Sequence, residues 1–484
     1  MEMLNLLKSN RSRGFLLKLL TWDLARQHLI HKIEEGLYQE YMKKDPNRFP
    51  RKVQEDKFLM VRTMIRGIDR GLKEGLISKN VWSKFINSFL SIYSKNKEKI
   101  ESFVQEYGQK PPAFLTLSPT HLCNLKCEGC YANSYHQTKE ALPFSISTRI
   151  IAEQKDLWSS HFTVISGGEP LIYKSEGRDI FDLFADHPDT FFLMYTNGTL
   201  IDANTAKKLA EVGNVTPAIS VEGFEEETDR RRGQGVFKKI LHAMENLRQE
   251  GVPFGISITA MRHNAELILS EEFIDFYFNK QGALYGWIFQ YMPIGRRFTL
   301  DLQVTPQQRK WMLEKTWSYI HEQNLFLADF WNCGAVSNGC ISAGKPGGYL
   351  YIDWNGNVMP CVFNPYTLDN IITIYNQGGN LNQVLLSPLF TRIREWQEKY
   401  ALQGPPDKMG NILRPCVIRD HYQIMRQIID ETKAKPADEP AAQALQDKDY
   451  YVGLLAYDKE LQRELDPLWE KNYLKPEKRQ QAYA

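Results

Sequence analysis

The sequence predicts an α/β fold with a parallel sheet, because short apolar runs alternate with helical patterns over residues 113 to about 325. Six runs have the length and the β-branched or aromatic content of buried strands: 114–117, 162–165, 191–195, 216–221, 254–258 and 287–291. Amphipathic helical spacing lies between them at 146–157, 203–212 and 237–247. Such alternation implies parallel strands joined by right-handed crossovers, in either an open sheet or a barrel.

Composition indicates a soluble globular protein. The chain has 484 residues, of which 43% are apolar and 24% charged, enough for two or three domains. Its N-terminus has no secretory signal, and Lys18 and Asp23 interrupt its most apolar stretch, so no run is long enough to span a bilayer. Seven cysteines in such a chain favour a reducing compartment. We therefore expect a cytoplasmic protein.

The first 110 residues form a basic, helical segment. Their net charge is +9, against −7 for the rest of the chain. Apolar stripes predict three helices: Phe15, Leu19, Trp22, Leu29, Ile33 and Leu37 mark the first, Phe58, Val61, Met64 and Ile65 the second, and 76–92 the third. The Asp45-Pro46 and Phe49-Pro50 steps separate the first two. The charge indicates either a solvated surface or peripheral membrane contact; no nucleic acid is expected.

Three cysteines follow the first predicted strand. Cys123, Cys127 and Cys130 have the spacing CxxxCxxC, which lets three thiolates converge on one soft metal centre. A closed zinc site requires a fourth ligand, whereas a cubic iron–sulfur cluster held by three cysteines keeps one iron open. The alternatives are a zinc knuckle, a disulfide with a spare thiol, and chance.

A glycine pair and a carboxylate follow the second predicted strand, in Ser166-Gly167-Gly168-Glu169-Pro170. Two glycines allow the backbone to approach a ligand closely, and the carboxylate can accept hydrogen bonds from an ammonium group. On its own this pattern is usually only a turn.

Together the two motifs resemble those of the radical S-adenosylmethionine (SAM) superfamily. One detail departs from that family, because Gly129 precedes Cys130 and the aromatic Tyr131 follows it. The resemblance implies a partial (β/α)6 TIM barrel over residues 111–325, with a [4Fe-4S] cluster on the three cysteines. It also implies SAM-binding residues: Gly167, Gly168, Glu169 and Pro170 for the methionine amino group, and Thr196, Asn197, Ser220 and Glu222 for the ribose and methionine carboxylate.

A second cysteine group lies in residues 326–432. A predicted strand at 349–354, a tight turn at Asn355-Gly356 and a return strand join Cys340 to Cys361. This pattern resembles the SPASM and twitch domains, which implies one auxiliary [4Fe-4S] cluster on Cys340, Cys361 and Cys416. Three roles stay open for Cys333: a fourth ligand of the cluster, a free core thiol, or a hydrogen donor to a substrate radical. Residues 433–484 are expected to form a linker and a C-terminal helix near 450–469.

The resemblance implies an oxidoreductase. SAM would be cleaved reductively to a 5′-deoxyadenosyl radical, which takes hydrogen from an unactivated C–H bond, with a flavodoxin or ferredoxin as electron donor. A peptide or protein is the leading substrate, although no β-containing leader-binding module is evident near the N-terminus. A lipid or membrane-associated substrate is the alternative. A non-catalytic iron–sulfur electron carrier is a third hypothesis, which the amino-acid-binding motif disfavours.

Overall fold

A computed structural model of the chain describes residues 23–43, 49–92 and 96–475. Its main sheet has ten strands in the order β13-β11-β10-β1-β2-β5-β6-β7-β8-β9. The strands of this sheet are β1 (Leu115–Leu117), β2 (Phe162–Ile165), β5 (Phe191–Thr196), β6 (Val215–Val221), β7 (Gly255–Ala260), β8 (Gly286–Gln290), β9 (Leu327–Asp329), β10 (Tyr351–Ile352), β11 (Asn357–Met359) and β13 (Asp369–Asn370). The short strands β3 (Lys174–Ser175), β4 (Arg178–Asp179), β12 (Tyr366–Thr367) and β14 (Lys435–Pro436) form two small sheets.

All six predicted strands are present, with ends within two residues of the prediction, and all neighbours from β1 to β8 pair in parallel. The predicted α/β fold with a parallel sheet is therefore confirmed. The sheet is curved, since alternate side chains of its strands line one enclosed cavity, among them Val164, Leu193, Ser257 and Phe289. This is the arrangement of a partial barrel.

Helices cover the outside of the barrel. In chain order the longer ones are α1 (Asp23–Lys43), α2 (Arg51–Lys73), α3 (Lys79–Ser91), α4 (Lys97–Tyr107), α5 (Phe144–Trp158), α6 (Ile180–Asp186), α7 (Ala203–Val212), α8 (Glu225–Arg232), α9 (Val236–Glu250), α10 (Glu271–Ile274), α11 (Pro306–Glu322), α12 (Gly334–Ser337), α13 (Ile371–Asn376), α14 (Pro388–Gln397), α15 (Tyr422–Thr432), α16 (Glu439–Gln446) and α17 (Lys448–Trp469). The predicted helices at 146–157, 203–212 and 237–247 correspond to α5, α7 and α9. None of the described helices is both long and apolar enough to cross a membrane.

The parallel sheet continues past residue 325, where the barrel was expected to end. Strand β9 pairs in parallel with β8, with Leu327 opposite Gly286. At the other edge, β10 pairs in parallel with β1 and antiparallel with β11. The second cysteine segment is thus part of the barrel sheet, and its position relative to the first cysteine group is fixed by backbone hydrogen bonds.

The hairpin between Cys340 and Cys361 differs from the predicted two-residue turn. Asp353 pairs with Asn357 through a backbone hydrogen bond of 3.1 Å, so residues 354–356 form a three-residue connection. Gly356 has a φ of +78°, the left-handed conformation that such connections place before the return strand. Asp353 holds the turn by accepting hydrogen bonds from the backbone of Asn355 and Asn357.

The N-terminal helices lie across the amino-terminal face of the barrel. Arg70 in α2 donates hydrogen bonds to the carbonyls of Phe278, at 2.7 Å, and Ala283, on the loop that enters β8. The backbone of Ser78 donates to Gly251, on the loop before β7, at 3.0 Å. Further along, Phe85 in α3 packs edge-on against the first residue of β5, with ring centroids 5.1 Å apart. The described residues of this segment, 23–43, 49–92 and 96–110, therefore cover the barrel at several strands.

The buried face of α1 differs from its predicted apolar stripe. Leu29, Ile33 and Leu37 are half-buried, whereas the buried positions include Arg26 and Glu34. Both charged side chains are paired with α2, because Arg26 contacts Asp69 at 2.6 Å and Arg66 contacts Glu34 at 2.6 Å. The paired Arg26 and Glu34 thus share the buried face of α1 with the apolar Ile30. Phe15, Leu19, Trp22 and the Asp45-Pro46 step lie outside the described residues, and α4 was not predicted.

The expected linker after residue 432 is folded. Strand β14 pairs with β12, with Thr367 opposite Lys435, and α16 buries Ala441 and Ala444. The low hydrophobicity of this stretch suggested a linker, but its small alanine side chains allow close packing. The predicted C-terminal helix is present as α17, which buries Leu454, Leu461, Leu465 and Trp469.

Candidate active site

One cavity of about 480 Å³ lies inside the barrel. Its walls are mostly apolar and carry several aromatic rings: Phe114, Phe162, Tyr195, Trp287, Phe289, Phe326, Phe330, Trp331, Tyr349 and Phe363. All seven cysteines also line it. A mostly apolar, enclosed pocket with a few polar groups is the usual form of a small-molecule or catalytic site.

Cys123, Cys127 and Cys130 lie on the loop at the carboxyl end of β1. N–H groups are directed at two of the sulfurs: the Leu125 backbone and the Asn197 side chain donate to Cys123 Sγ at 3.5 and 3.8 Å. Cys127 Sγ accepts from Arg232 Nη1 at 3.9 Å. Such hydrogen bonds stabilise thiolates and tune the properties of an iron–sulfur cluster. The donor set therefore fits a cluster at this loop.

Burial keeps the thiols of Cys123 and Cys127 protonated when no metal is bound. It raises the pKa of Cys123 to about 12, with the nearby Glu169 carboxylate adding to the shift, and it also raises the pKa of Cys127. Because metal ligation requires thiolates, loading the site must release protons.

The glycine pair contacts the cysteine loop directly. Gly168 N donates to Thr120 O at 2.9 Å, and Glu169 N donates to Leu122 O at 2.8 Å. A Cβ atom on Gly168 would lie 2.2 Å from the Leu122 carbonyl oxygen, closer than any side chain allows. The structure thus gives Gly168 a role that the sequence analysis missed: it lets two loops of the site pack backbone to backbone.

Glu169 lies behind the cavity wall. It is fully buried and accepts hydrogen bonds from Thr196 Oγ1 at 2.7 Å, Asn197 N at 2.8 Å and Leu171 N at 3.2 Å. Three of the roughly four lone-pair positions of the carboxylate are therefore used. Burial raises its pKa. In this structure Glu169 orients the predicted site residues Thr196 and Asn197.

The predicted SAM-binding residues fall into two groups. Five of them line the cavity: Gly167, Gly168, Thr196, Asn197 and Ser220. Glu169, Pro170 and Glu222 lie behind it and are buried.

Two arginines that the sequence analysis missed pair with Glu222. The Glu222 Oε1 atom accepts hydrogen bonds from Arg232 Nε at 2.9 Å and from Arg231 Nη1. Both arginines line the cavity beside the cysteine loop, where Glu222 pairs with both of them and the Glu169 carboxylate lies near Arg232. Their only sequence signal is the run 230–232, which resembles an ordinary charged helix end.

The second cysteine group lies toward the opposite end of the barrel. Tyr351 is opposite both Thr116 of β1 and Met359 of β11, so the chain after Met359 returns toward the amino end of β1. Cys361 follows there, near Cys340 and Cys416. Burial raises the pKa of Cys361, and it raises that of Cys416 to about 12. The structure brings these three thiols near one another.

Cys333 lies beside helix α2. It packs in an apolar cluster with Phe58, Leu59 and Met60 of α2, and burial raises its pKa. Within the described ranges, no three His, Cys, Asp or Glu side chains are arranged to hold a single metal ion.

A buried ion pair supports the loop that carries Cys416. Arg309 contacts Asp420 through two hydrogen bonds of 2.5 and 3.0 Å, and both side chains are fully buried. Asp420 also accepts a hydrogen bond from the Cys416 backbone at 3.2 Å. His421 contacts the same loop through Nε2, which lies 2.9 Å from Arg414 O. Asp420 and His421 thus have structural roles beside the cysteine.

The fold and site define a parallel-barrel protein with two groups of three cysteines on one cavity. Residues 117–269 match the model of the radical SAM superfamily, and residues 340–405 match the SPASM iron–sulfur cluster-binding domain. The chain therefore carries a radical SAM domain and a SPASM domain. The cofactors of these domains are a [4Fe-4S] cluster with SAM and auxiliary iron–sulfur clusters, as the resemblance implied.

Two relatives of this chain are named for different kinds of reaction. The chain is 30% identical over 175 residues to Fe-coproporphyrin III synthase of Methanosarcina barkeri, which covers 36% of this chain and 43% of that protein. It is 25% identical over 280 residues to the sporulation killing factor maturation protein SkfB of Bacillus subtilis, covering 54% and 63%. The matches thus span less than two thirds of either relative.

A solved structure supports the fold. The crystal structure of Streptococcus suis SuiB bound to the precursor peptide SuiA superposes with a TM-score of 0.51 at 20% identity, covering 61% of this chain and 70% of that one.

Proposed function

We propose that this protein is a radical SAM enzyme that abstracts a hydrogen atom from an unactivated C–H bond of a substrate held in the barrel cavity. The observation that carries the proposal is that the cysteine loop is hydrogen-bonded to the Gly167-Gly168 loop at one end of the barrel cavity. Bound cluster and SAM would supply a 5′-deoxyadenosyl radical by reductive cleavage. Cys123, Cys127 and Cys130 would hold that cluster.

The chain's own residues would orient the reactants and exclude water. Glu169 fixes Thr196 and Asn197, and Asn197 in turn donates to Cys123 Sγ. Arg231 and Arg232 are held by Glu222, which fixes both side chains beside the cysteine loop. Aromatic walls keep other hydrogen donors away from a reactive intermediate.

The substrate we favour is a peptide or protein with an apolar side chain at the reaction site. SkfB is named for the maturation of a killing factor, and SuiB was solved with a precursor peptide. The small number of charged groups in the cavity agrees with an apolar substrate side chain. Apart from the cysteines, the ionisable acidic and basic side chains of its described walls are those of Arg231, Arg232 and Asp329. Asp329 is already held by Gln290 and Asn332.

Porphyrin chemistry is a second candidate, which the 30% identity to Fe-coproporphyrin III synthase and the aromatic cavity favour. Coproporphyrin carries several carboxylates, and the two cavity arginines are already engaged with Glu222. The charge balance therefore favours the peptide. A lipid substrate remains the alternative suggested by the basic N-terminus.

We further propose one auxiliary [4Fe-4S] cluster on Cys340, Cys361 and Cys416, and a flavodoxin or ferredoxin as the reductant. The packing of Cys333 against the apolar residues of α2 supports its roles as a core thiol or hydrogen donor over that of a fourth ligand. A peripheral membrane contact through residues 1–110 would accompany the lipid alternative.

The test is anaerobic reconstitution followed by dithionite and SAM, with 5′-deoxyadenosine measured by chromatography. We expect 5′-deoxyadenosine from the intact protein, and deuterium transfer into it from a deuterated substrate. Candidate precursor peptides, Fe-coproporphyrin III and lipid vesicles are assayed in parallel. Clusters that load without any SAM cleavage would favour the electron-carrier hypothesis.

A further inference from the structure

Met60 connects the N-terminal segment to the cavity. This side chain of α2 is 5% exposed and forms part of the cavity wall. It packs in one apolar cluster with Ala328 of β9 and, at its edge, Trp287, Phe326 and Val336. Ala328, Trp287, Phe326 and Val336 also line the cavity. Met60 therefore contributes to the wall where strands β8 and β9 begin.

The helix that carries Met60 is firmly docked on this face. Arg70 binds two carbonyls of the loop entering β8, and Lys57 Nζ donates to Asn338 Oδ1 at 2.6 Å. Gly67 packs so closely that a Cβ there would lie 2.9 Å from the Leu284 carbonyl oxygen. Helix α2 is thus held by polar contacts on both sides of Met60.

We propose that α2 is the floor of the substrate cavity and that Met60 is a specificity-determining residue that sets its depth. This inference rests on the proposed function, because it assigns the cavity to the substrate. It gives the N-terminal segment a part in forming the site. The floor limits the length of the substrate group that enters the barrel.

The chemistry of the floor selects an apolar group. Asp56 is the carboxylate of α2 nearest to this region, and it is paired with Lys52 and with the Tyr473 hydroxyl at 2.7 Å. Cys333, on the same part of the wall, is a neutral thiol because burial raises its pKa. Among the described residues, the side chains that pack in one cluster with Met60 are apolar or aromatic apart from the Cys333 thiol. An aliphatic or aromatic side chain of a peptide is the substrate group that fits.

The basic character of the segment is partly explained by this docking. Arg70 and Lys84 both bind backbone carbonyls on the barrel, and the carbonyl that Lys84 binds belongs to Glu211. Arg66 pairs with Glu34 within the segment. These cations hold the segment together or attach it to the barrel. This use of charge favours a structural floor over a membrane-binding surface.

The experiment measures the depth of the cavity with straight-chain primary alcohols, from butanol to decanol. Binding to the full-length, cluster-loaded protein with SAM is followed by calorimetry under anaerobic conditions. The variants are Met60→Ala and Met60→Trp. Met64→Ala is the matched control, since Met64 lies one turn further along α2 and is absent from the cavity wall.

We expect Met60→Ala to bind best an alcohol at least one carbon longer than the wild type does. Met60→Trp should prefer a shorter one, and Met64→Ala should match the wild type. Each methylene gained or lost changes the Kd about fourfold.

Two results would overturn the proposal: an unchanged preference in Met60→Trp, or no alcohol binding to any folded protein of the set. Melting curves identify the folded variants, and Met60→Trp keeps the test decisive if Met60→Ala does not fold. 5′-Deoxyadenosine is measured on the same samples. Its absence beside a shifted alcohol preference would reject the enzyme proposal and keep the floor.

Discussion

The hydroxyl of Tyr131 lies 2.6 Å from the hydroxyl of Ser166, and it accepts a hydrogen bond from Gly167 N at 3.3 Å. Tyr131 follows the last cysteine of the first motif, and Ser166 begins the glycine motif. The aromatic residue that the sequence placed on the unexpected side of Cys130 therefore joins the two loops of the site.

This contact predicts that Tyr131→Phe binds SAM more weakly while keeping its cluster. Losing the hydrogen bonds between the loops should cost about 1 kcal/mol, or roughly fivefold in the Kd of SAM. Equilibrium binding to the reconstituted protein and iron analysis measure the two effects. Tyr135→Phe is the control in the same loop. Equal affinities for both variants would show that the Tyr131 contact does not organise the SAM site.

Cysteine variants should separate the two proposed clusters. Cys127→Ala is expected to lose about four iron atoms per chain and all SAM cleavage, because one of three ligands is removed. Cys361→Ala should lose the same amount of iron from the other group and retain cleavage. Iron analysis and electron paramagnetic resonance follow the clusters, and chromatography follows 5′-deoxyadenosine.

Cys333→Ala is the control for both variants. We expect it to keep the full iron content, since Cys333 lies in the apolar cluster of α2. A loss of iron from the auxiliary site in this variant would identify Cys333 as its fourth ligand.

The buried ion pair of Arg309 and Asp420 should be essential for the auxiliary site. Arg309→Met leaves an uncompensated buried carboxylate and is expected to destabilise the protein by about 3–5 kcal/mol. Since Asp420 accepts from the Cys416 backbone, iron at the auxiliary site should also fall. Thermal unfolding and iron analysis test this.

Arg392→Met is the matched surface control, since Arg392 pairs with Glu431 at 2.7 Å but is 44% exposed. It should lower the melting temperature far less than Arg309→Met does. If both variants were equally stable, the buried pair would have no special role.

His187 should make the protein less stable in acid. Its Nε2 atom lies 2.8 Å from Thr148 Oγ1, and burial, assisted by Lys155, lowers its pKa to about 4. In the unfolded chain the imidazole takes up a proton at its usual pKa near 6.5. The stabilisation is therefore complete above pH 6.5 and is lost as the pH falls toward about 4.

The matching variant is His187→Gln, which can bond Thr148 but does not titrate. The difference in melting temperature between wild type and variant should change between about pH 6.5 and 4 and be constant above that range. A difference that is the same at every pH would contradict a depressed pKa in the folded state.

Sequence patterns predicted the strands and the two cysteine groups because both are local. The apolar residues of the runs 162–165 and 216–221 indicate on their own that these segments are buried. The spacing of the cysteines is likewise visible in the sequence itself. Arg309 and Asp420, by contrast, are 111 residues apart, and neither neighbourhood indicates the other. Arg231 and Arg232 were missed for a related reason, since a charged helix end appears solvated until Glu222 is placed beside it.

The N-terminal segment shows the same limit. Its helical spacing predicted α2 and α3, but helix periodicity does not specify what the helix packs against. Met60 was not part of the predicted stripe, and it lines the cavity. The role of α2 depends on contacts with the loops entering distant strands, which only the folded chain brings together.

Two glycines in the N-terminal helices test the docking of α2. A Cβ atom on Gly36 in α1 would have no neighbour within 4 Å, whereas a Cβ on Gly67 in α2 would lie 2.9 Å from the Leu284 carbonyl oxygen. Gly36→Ala should raise stability by up to about 1 kcal/mol, because alanine is the better helix former. Gly67→Ala has the same helical preference but must displace α2 from the barrel, so we expect a lower melting temperature than wild type. An equal gain from both substitutions would mean that α2 is not packed against the loop entering β8, and the floor of the cavity would have to be sought elsewhere.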